Sequence, residues 1–219
     1  MAKLKVDFIS DVSCPWCVIG LRALEDAIAR VDDVDVDVTF KPFELNPEMA
    51  AGGQDFVEHI GQKYGSTPQQ SMETKQMIRE RGAELGFVFD VEKWDRIYNT
   101  FDTHRLLHWA AVEGKQRELK HALFSAYFTE GKNPGDHGVL LEVAAAVGLD
   151  TAQAKEILES DQYAEDVRSD EAQTHAHGIH AVPAVVVNDK HLIQGGQPVE
   201  VFEQALRQIA AESDSAQSA

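Results

Sequence analysis

This 219-residue chain has only two cysteines, three apart as Cys14-Pro15-Trp16-Cys17, at the junction of an alternating apolar stretch and a run of helical periodicity. One pair cannot make a disulfide framework, so the question becomes whether the junction has a catalytic or a metal-binding role. Before it, residues 3–10 (KLKVDFIS) read as a strand, and after it Leu21, Leu24, Ile28 and Val31 recur at helical spacing. Residues 34–41 (VDVDVTFK) alternate apolar with acidic residues, as a strand with one buried face does. The opening is a βαβ unit.

From about residue 47 to 177 the pattern is helical, with helices expected at 68–85, 94–113, 118–128, 139–147 and 152–168 and no convincing strand. Residues 184–187 (AVVV) and 191–193 then read as two short strands around a turn at Asn188-Asp189. Gly195-Gly196 and a helix over about 198–210 follow, and ESDSAQSA reads as a solvated tail. This order predicts an α/β fold: one sheet domain built from both ends of the chain, residues 1–45 and 165–211, with an all-helical insertion at 46–164 and a flexible tail at 212–219.

Charge narrows the partners. Lys plus Arg number 20 against 37 Asp plus Glu, and a net charge of −17 disfavours nucleic acid and anionic membrane surfaces. The first residues, MAKLKVDFISD, contain no apolar leader core, and no stretch approaches the roughly 18 apolar residues a span needs. A soluble, cytoplasmic protein is expected.

Proline is favoured at the first helical position, where its missing N–H costs nothing, so Pro15 puts Cys14 at the N-cap and Cys17 at the third helical position. The Cys14 sulfur is expected where a capping oxygen accepts backbone N–H bonds, at the exposed positive end of the helix, a setting that favours the thiolate and lowers a thiol pKa from about 8.5 to roughly 3.5–7.5. Cys14 is therefore expected to be the nucleophile. Residues three apart on a helix lie about 5–6 Å apart at Cα, close enough for a disulfide, so Cys17 is expected to resolve a mixed disulfide on Cys14. Trp16 presents an aromatic face to a bound peptide or acts as a spacer. Structural zinc would need a second ligand pair, and haem attachment would need His where Val18 stands, so no metal or other cofactor is expected.

SDVSCPWCVIG after the first strand and GIHAVPAVVVNDKHLIQGGQ near the end resemble the DsbA-like branch of the thioredoxin superfamily, specifically its FrnE-type proteins. The likeness extends into the helical block through Asn99-Thr100 and His104-Arg105-Leu106. It implies a thioredoxin-like fold, a cis bond between Val182 and Pro183 opposite the cysteines, and a Val182 backbone free to pair with an extended substrate. It also implies a thiol–disulfide oxidoreductase or isomerase acting on protein or peptide thiols and disulfides, with glutathione as a further partner. Kappa-class glutathione transferases and 2-hydroxychromene-2-carboxylate isomerases are similar in fold and form the alternative, but they use serine where this chain keeps a cysteine pair.

Other polar residues are secondary. His104 and His108 share a helix face without a third metal ligand, and His175, His177 and His180 cluster before Val182-Pro183, with His180 the candidate cation near Cys14. Asp11 is a proton relay or, more plainly, a turn residue between strand and helix.

Overall fold

The computed structural model describes residues 2–217. Strand β1 (Ala2–Ser10) leads into helix α1 (Pro15–Arg30), and β2 (Val34–Pro42) lies parallel to β1, with Phe8 opposite Phe40. The middle of the chain supplies β3 (Gln54–Asp55), α2 (Phe56–Tyr64), α3 (Pro68–Glu84), β4 (Arg96–Ile97) and α4 (Phe101–Val112). Helices α5 (Gln116–Phe128), α6 (His137–Ala146), α7 (Thr151–Leu158) and α8 (Ala164–Ala176) follow. Strands β5 (Ala184–Val187) and β6 (His191–Gln194) and helix α9 (Val199–Gln217) close the chain.

The main sheet has the order β2-β1-β5-β6, so strands from both ends of the chain pair, with α2–α8 inserted between them. This is the mixed α/β architecture with a helical insertion that the element order predicts, and it agrees with the thioredoxin-like fold that the resemblance implies. Central β1 buries Leu4, Val6 and Phe8 and, near its end, Ile9 and Ser10. The hairpin joining β5 to β6 turns at Asn188 (φ 53°) and Asp189 (φ 55°), both left-handed as a tight twisted hairpin requires. Asn188 Oδ1 also accepts the Lys5 amide at 3.0 Å, fixing the turn against β1.

The inserted helices gather around aromatic residues that are continuous with the core of the sheet domain. Trp94 packs edge-on against Phe56 (4.9 Å) and Phe128 (5.0 Å), and its indole donates to Tyr127 Oη at 3.0 Å. Local caps set the ends: Asp55, Asp136 and Asp150 accept first-turn amides, and Thr67 forms a reciprocal box with Gln70 ahead of Pro68.

Several expected boundaries are corrected. The helix predicted over 94–113 begins only at Phe101, because Trp94 is buried as an aromatic anchor and Arg96–Ile97 pair with Gln54–Asp55. Strands therefore do occur within the insertion. The helix predicted over 152–168 is two, separated at Tyr163, which takes φ 62°. Buried Arg105 explains the break, since its guanidinium takes the carbonyls of Ile157, Ser160 and Gln162 that a continuous helix would use. Helix α2 was not expected from periodicity, and α9 runs past residue 210 to Gln217 because Ala, Glu and Gln continue it without a Gly or Pro stop. Of the expected tail, residues 218 and 219 lie outside the described residues.

Candidate active site

The turn from β1 to α1 is built around Asp11. Its buried carboxylate accepts the Ser13 amide at 3.1 Å and the Leu45 amide at 2.7 Å, while its carbonyl accepts the Cys14 amide at 3.2 Å. The residue is thus the turn-former, and it also ties the loop after β2 to the cysteines. His104 Nε2 lies 3.6 Å from Asp11 Oδ1. Burial pushes the Asp11 carboxyl up, but His104 first, and then the two amides, outweigh it and hold the carboxyl at about 2.

Pro15 stands at the first helical position and Cys14 at the N-cap with extended backbone, as its spacing predicts. Two expectations about Cys14 are corrected. Its sulfur makes no capping bond, because the thiol is turned toward the opposite loop and donates to the Val182 carbonyl at 3.8 Å. Nor is it exposed: Cys14 is 3% accessible and Cys17 fully buried. Both are free thiols. Burial drives the Cys17 thiol well above its ordinary pKa, the adjacent Cys14 sulfur adds to this, and the charge of Lys120 opposes it.

The Val182–Pro183 peptide bond is cis, and Pro183 packs on the first turns of α1. Gly20 makes that approach possible: a β carbon there would lie 3.0 Å from Pro183 Cγ and 3.3 Å from Gly196 Cα. The Gly195 amide donates to the Pro183 carbonyl at 2.8 Å, so the loop before α9 holds the Val182-Pro183 segment in place.

Over Cys14 opens a groove of about 320 Å3 between the start of α1 and the insertion. Trp16 and Val182 flank the cysteine, Leu45 and Phe56 give apolar walls, and His59 and Lys63 are its basic side chains, with no carboxylate in the lining. The structure therefore brings Cys14, Trp16 and Val182 to one surface, with Cys17 and Pro183 buried behind it. His180 does not join them. It is exposed and stacks on His175 at 5.6 Å, outside the groove lining.

Sequence reading missed Gly20, Lys63 and Lys120. A glycine in a helix interior is itself a signal of close packing, and a lysine sharing the face of Leu123 and Phe124 interrupts an apolar stripe. Nothing local distinguishes Lys63 from other surface lysines.

The chain's four-stranded sheet with its helical insertion and a CxxC-spaced pair of free cysteines beside the groove belong to the thioredoxin-like class of oxidoreductases. Its sequence gives the branch: residues 5–207 match the DSBA-like thioredoxin domain, and the chain belongs to that family. The uncharacterized protein YwbO of Bacillus subtilis (strain 168) is 33% identical over 90% of this chain and 92% of its own length. A probable DsbA oxidoreductase from Streptomyces coelicolor, SCO1869, superposes with a TM-score of 0.87 at 32% identity, over 94% of this chain and 89% of that one. The cytosolic disulfide reductase DsbM of Pseudomonas aeruginosa, solved with GSH, shares the fold at 17% identity, with a TM-score of 0.64 over 93% and 98% of the two chains. Among the described residues no helix is long and apolar enough to cross a membrane.

Proposed function

We propose that the protein exchanges dithiol and disulfide with protein or peptide substrates, Cys14 attacking and Cys17 resolving. The observation that carries this is the Cys14 thiol itself, on the groove surface and 3.8 Å from the Val182 carbonyl, with Cys17 one turn behind it. In the oxidising direction, a substrate thiolate attacks the Cys14 sulfur of the Cys14–Cys17 disulfide, Cys17 leaves as thiolate and takes a proton, and a second substrate thiolate displaces Cys14. The substrate loses two electrons and the pair gains them. In the reducing direction each step runs backward: Cys14 opens a substrate disulfide, and Cys17 attacks the resulting mixed disulfide and releases the second thiol.

Substrate backbone entering the groove displaces the Cys14 thiol from the Val182 carbonyl and pairs there as an added strand would, with Trp16 offering its ring beside the reacting sulfur. Residues 1–45 and 165–211 act in this reading as the sheet domain carrying the cysteines, and residues 46–164 as the insertion that walls the groove. A cationic groove in a strongly acidic chain also suits glutathione, whose carboxylates would meet Lys63. The intact cysteine pair separates this reading from the serine-using kappa-class enzymes. Insulin reduction and dithiol-peptide oxidation, each with and without glutathione, test it. Exchange lost on replacing either cysteine is expected; glutathione conjugation of a small electrophile that survives both replacements would establish the transferase instead.

A further inference from the structure

His59 lies on the wall of the groove that also holds Cys14, one helical turn before Lys63 and on the same face of α2. Both of its ring nitrogens face side-chain carbonyl oxygens: Nδ1 lies 2.9 Å from Gln54 Oε1, and Nε2 lies 3.0 Å from Asn46 Oδ1. Neither amide can present its nitrogen instead. Asn46 Oδ1 also accepts the Lys63 ammonium at 2.7 Å, so an amide nitrogen in its place would meet a second donor. Gln54 is oriented by a chain that ends on a carboxylate. Its Nε2 donates to Gln62 Oε1 at 3.0 Å, and Gln62 Nε2 donates to Glu58 Oε1 at 3.0 Å. A carboxylate accepts only, so each link of that chain is fixed in turn.

A neutral imidazole has one N–H and one bare nitrogen, whereas an imidazolium has two N–H donors. Between two oxygens the neutral ring makes one hydrogen bond and sets a lone pair against the other oxygen, and only the charged ring makes both. The surroundings oppose that charge. Burial, and then the Lys63 ammonium, pull the ring below its ordinary 6.5. The neighbouring elements bring little to offset them. Asp55 of β3 is engaged in capping α2, and Arg96 of β4 in the Gly52 and Gly53 carbonyls. From α3 the groove receives only the uncharged Ser71, Thr74 and Ile78, and from the start of α1 the Cys14 thiol. Glu48, in the loop after β2, lines a second cleft on the far side of the same wall.

We propose that His59 and Lys63 form a site for a carboxylate carried near the reacting sulfur of the substrate, and that His59 takes up a proton from solvent as that carboxylate binds. The inference rests on the exchange reading above and adds to it a substrate class and a pH dependence. A carboxylate beside Lys63 offsets the charge that keeps the ring neutral. The ring then becomes imidazolium, its second hydrogen bond closes, and the groove presents two cations that share Asn46. Because the ligand favours the protonated ring, the proton favours the ligand by the same factor, so affinity falls as pH rises through the titration of His59.

Titration calorimetry in buffers of different ionisation enthalpy counts the proton directly. The probes are S-methylglutathione and a blocked acidic peptide, acetyl-Asp-(S-methyl)Cys-Asp-amide, whose capped sulfurs cannot exchange. Uptake of roughly half a proton or more per ligand is expected at pH 7, with affinity about tenfold weaker at pH 7.5 than at pH 5.5. Uptake with either probe supports the site, and the tighter binder identifies the source of the carboxylate. His59→Gln should abolish the uptake and flatten the pH profile. Gln54→Leu keeps the histidine but removes one of its two oxygens, so it should reduce the uptake. No binding of either probe at pH 5.5, or binding without uptake, overturns the proposal. So does uptake that persists in His59→Gln, which would place the proton elsewhere, the Cys14 sulfur included, or uptake unaltered in Gln54→Leu. The exchange reading is tested separately by the insulin and dithiol-peptide assays above, whose outcome does not depend on this proton.

Discussion

The Cys14 thiol and the Val182 carbonyl, 168 positions apart in sequence, meet at 3.8 Å. The contact crosses from the start of α1 to the loop that starts β5, so under the proposed exchange the substrate's geometry depends on how closely those two elements pack.

Gly20 controls that packing. Because a β carbon there would come within 3.0 Å of Pro183 Cγ, Gly20→Val must push the Val182-Pro183 loop away from α1. A loss of about 1–3 kcal/mol in urea unfolding is expected, with exchange activity falling more than the stability loss accounts for. Unchanged activity in a folded variant would show that the loop's approach to Cys14 is not needed.

Asp11 gives the turn a pH signature. Its carboxyl titrates at about 2 when folded against an ordinary 3.8, so it contributes stability that is fully present above about pH 4 and is lost as pH falls through 2. Asp11→Asn should cost about 2 kcal/mol at pH 7, and the difference from the parent should shrink between pH 4 and 2. Urea midpoints measured across that range decide it, and a cost independent of pH would mean that the ionised carboxylate is not what matters.

Lys63 is the cation of a groove that has no acidic lining residue. Its ammonium donates to the Leu45 carbonyl and to Asn46 Oδ1, both at 2.7 Å, and so points along the wall next to Cys14. Lys63→Glu is expected to raise KM for glutathione disulfide about tenfold or more while leaving a neutral peptide disulfide nearly unaffected. Equal effects on both would place the anionic group elsewhere.

Much of this site was legible in the chain because its signals are local. Pro15 fixes a helix start, the spacing of Cys14 and Cys17 fixes their shared turn, and the period-two pattern of residues 34–41 fixes a strand. What was hidden is what distant residues impose. Arg105 breaks a helix by taking three carbonyls from residues 157–162, Trp94 leaves a helical pattern to fill an aromatic core, and the Cys14 sulfur turns to Val182 where the cap position alone suggested a bond to its own helix.

The most direct measurement is a trapping experiment with a peptide disulfide and the single variants Cys17→Ala and Cys14→Ala, read by intact mass with and without dithiothreitol. Cys14 lines the groove and Cys17 lies fully buried behind it, so Cys17→Ala should accumulate one covalent peptide adduct that dithiothreitol splits, and Cys14→Ala should accumulate almost none. Adducts gathering on Cys14→Ala, with none on Cys17→Ala, would contradict the assignment of the two sulfurs.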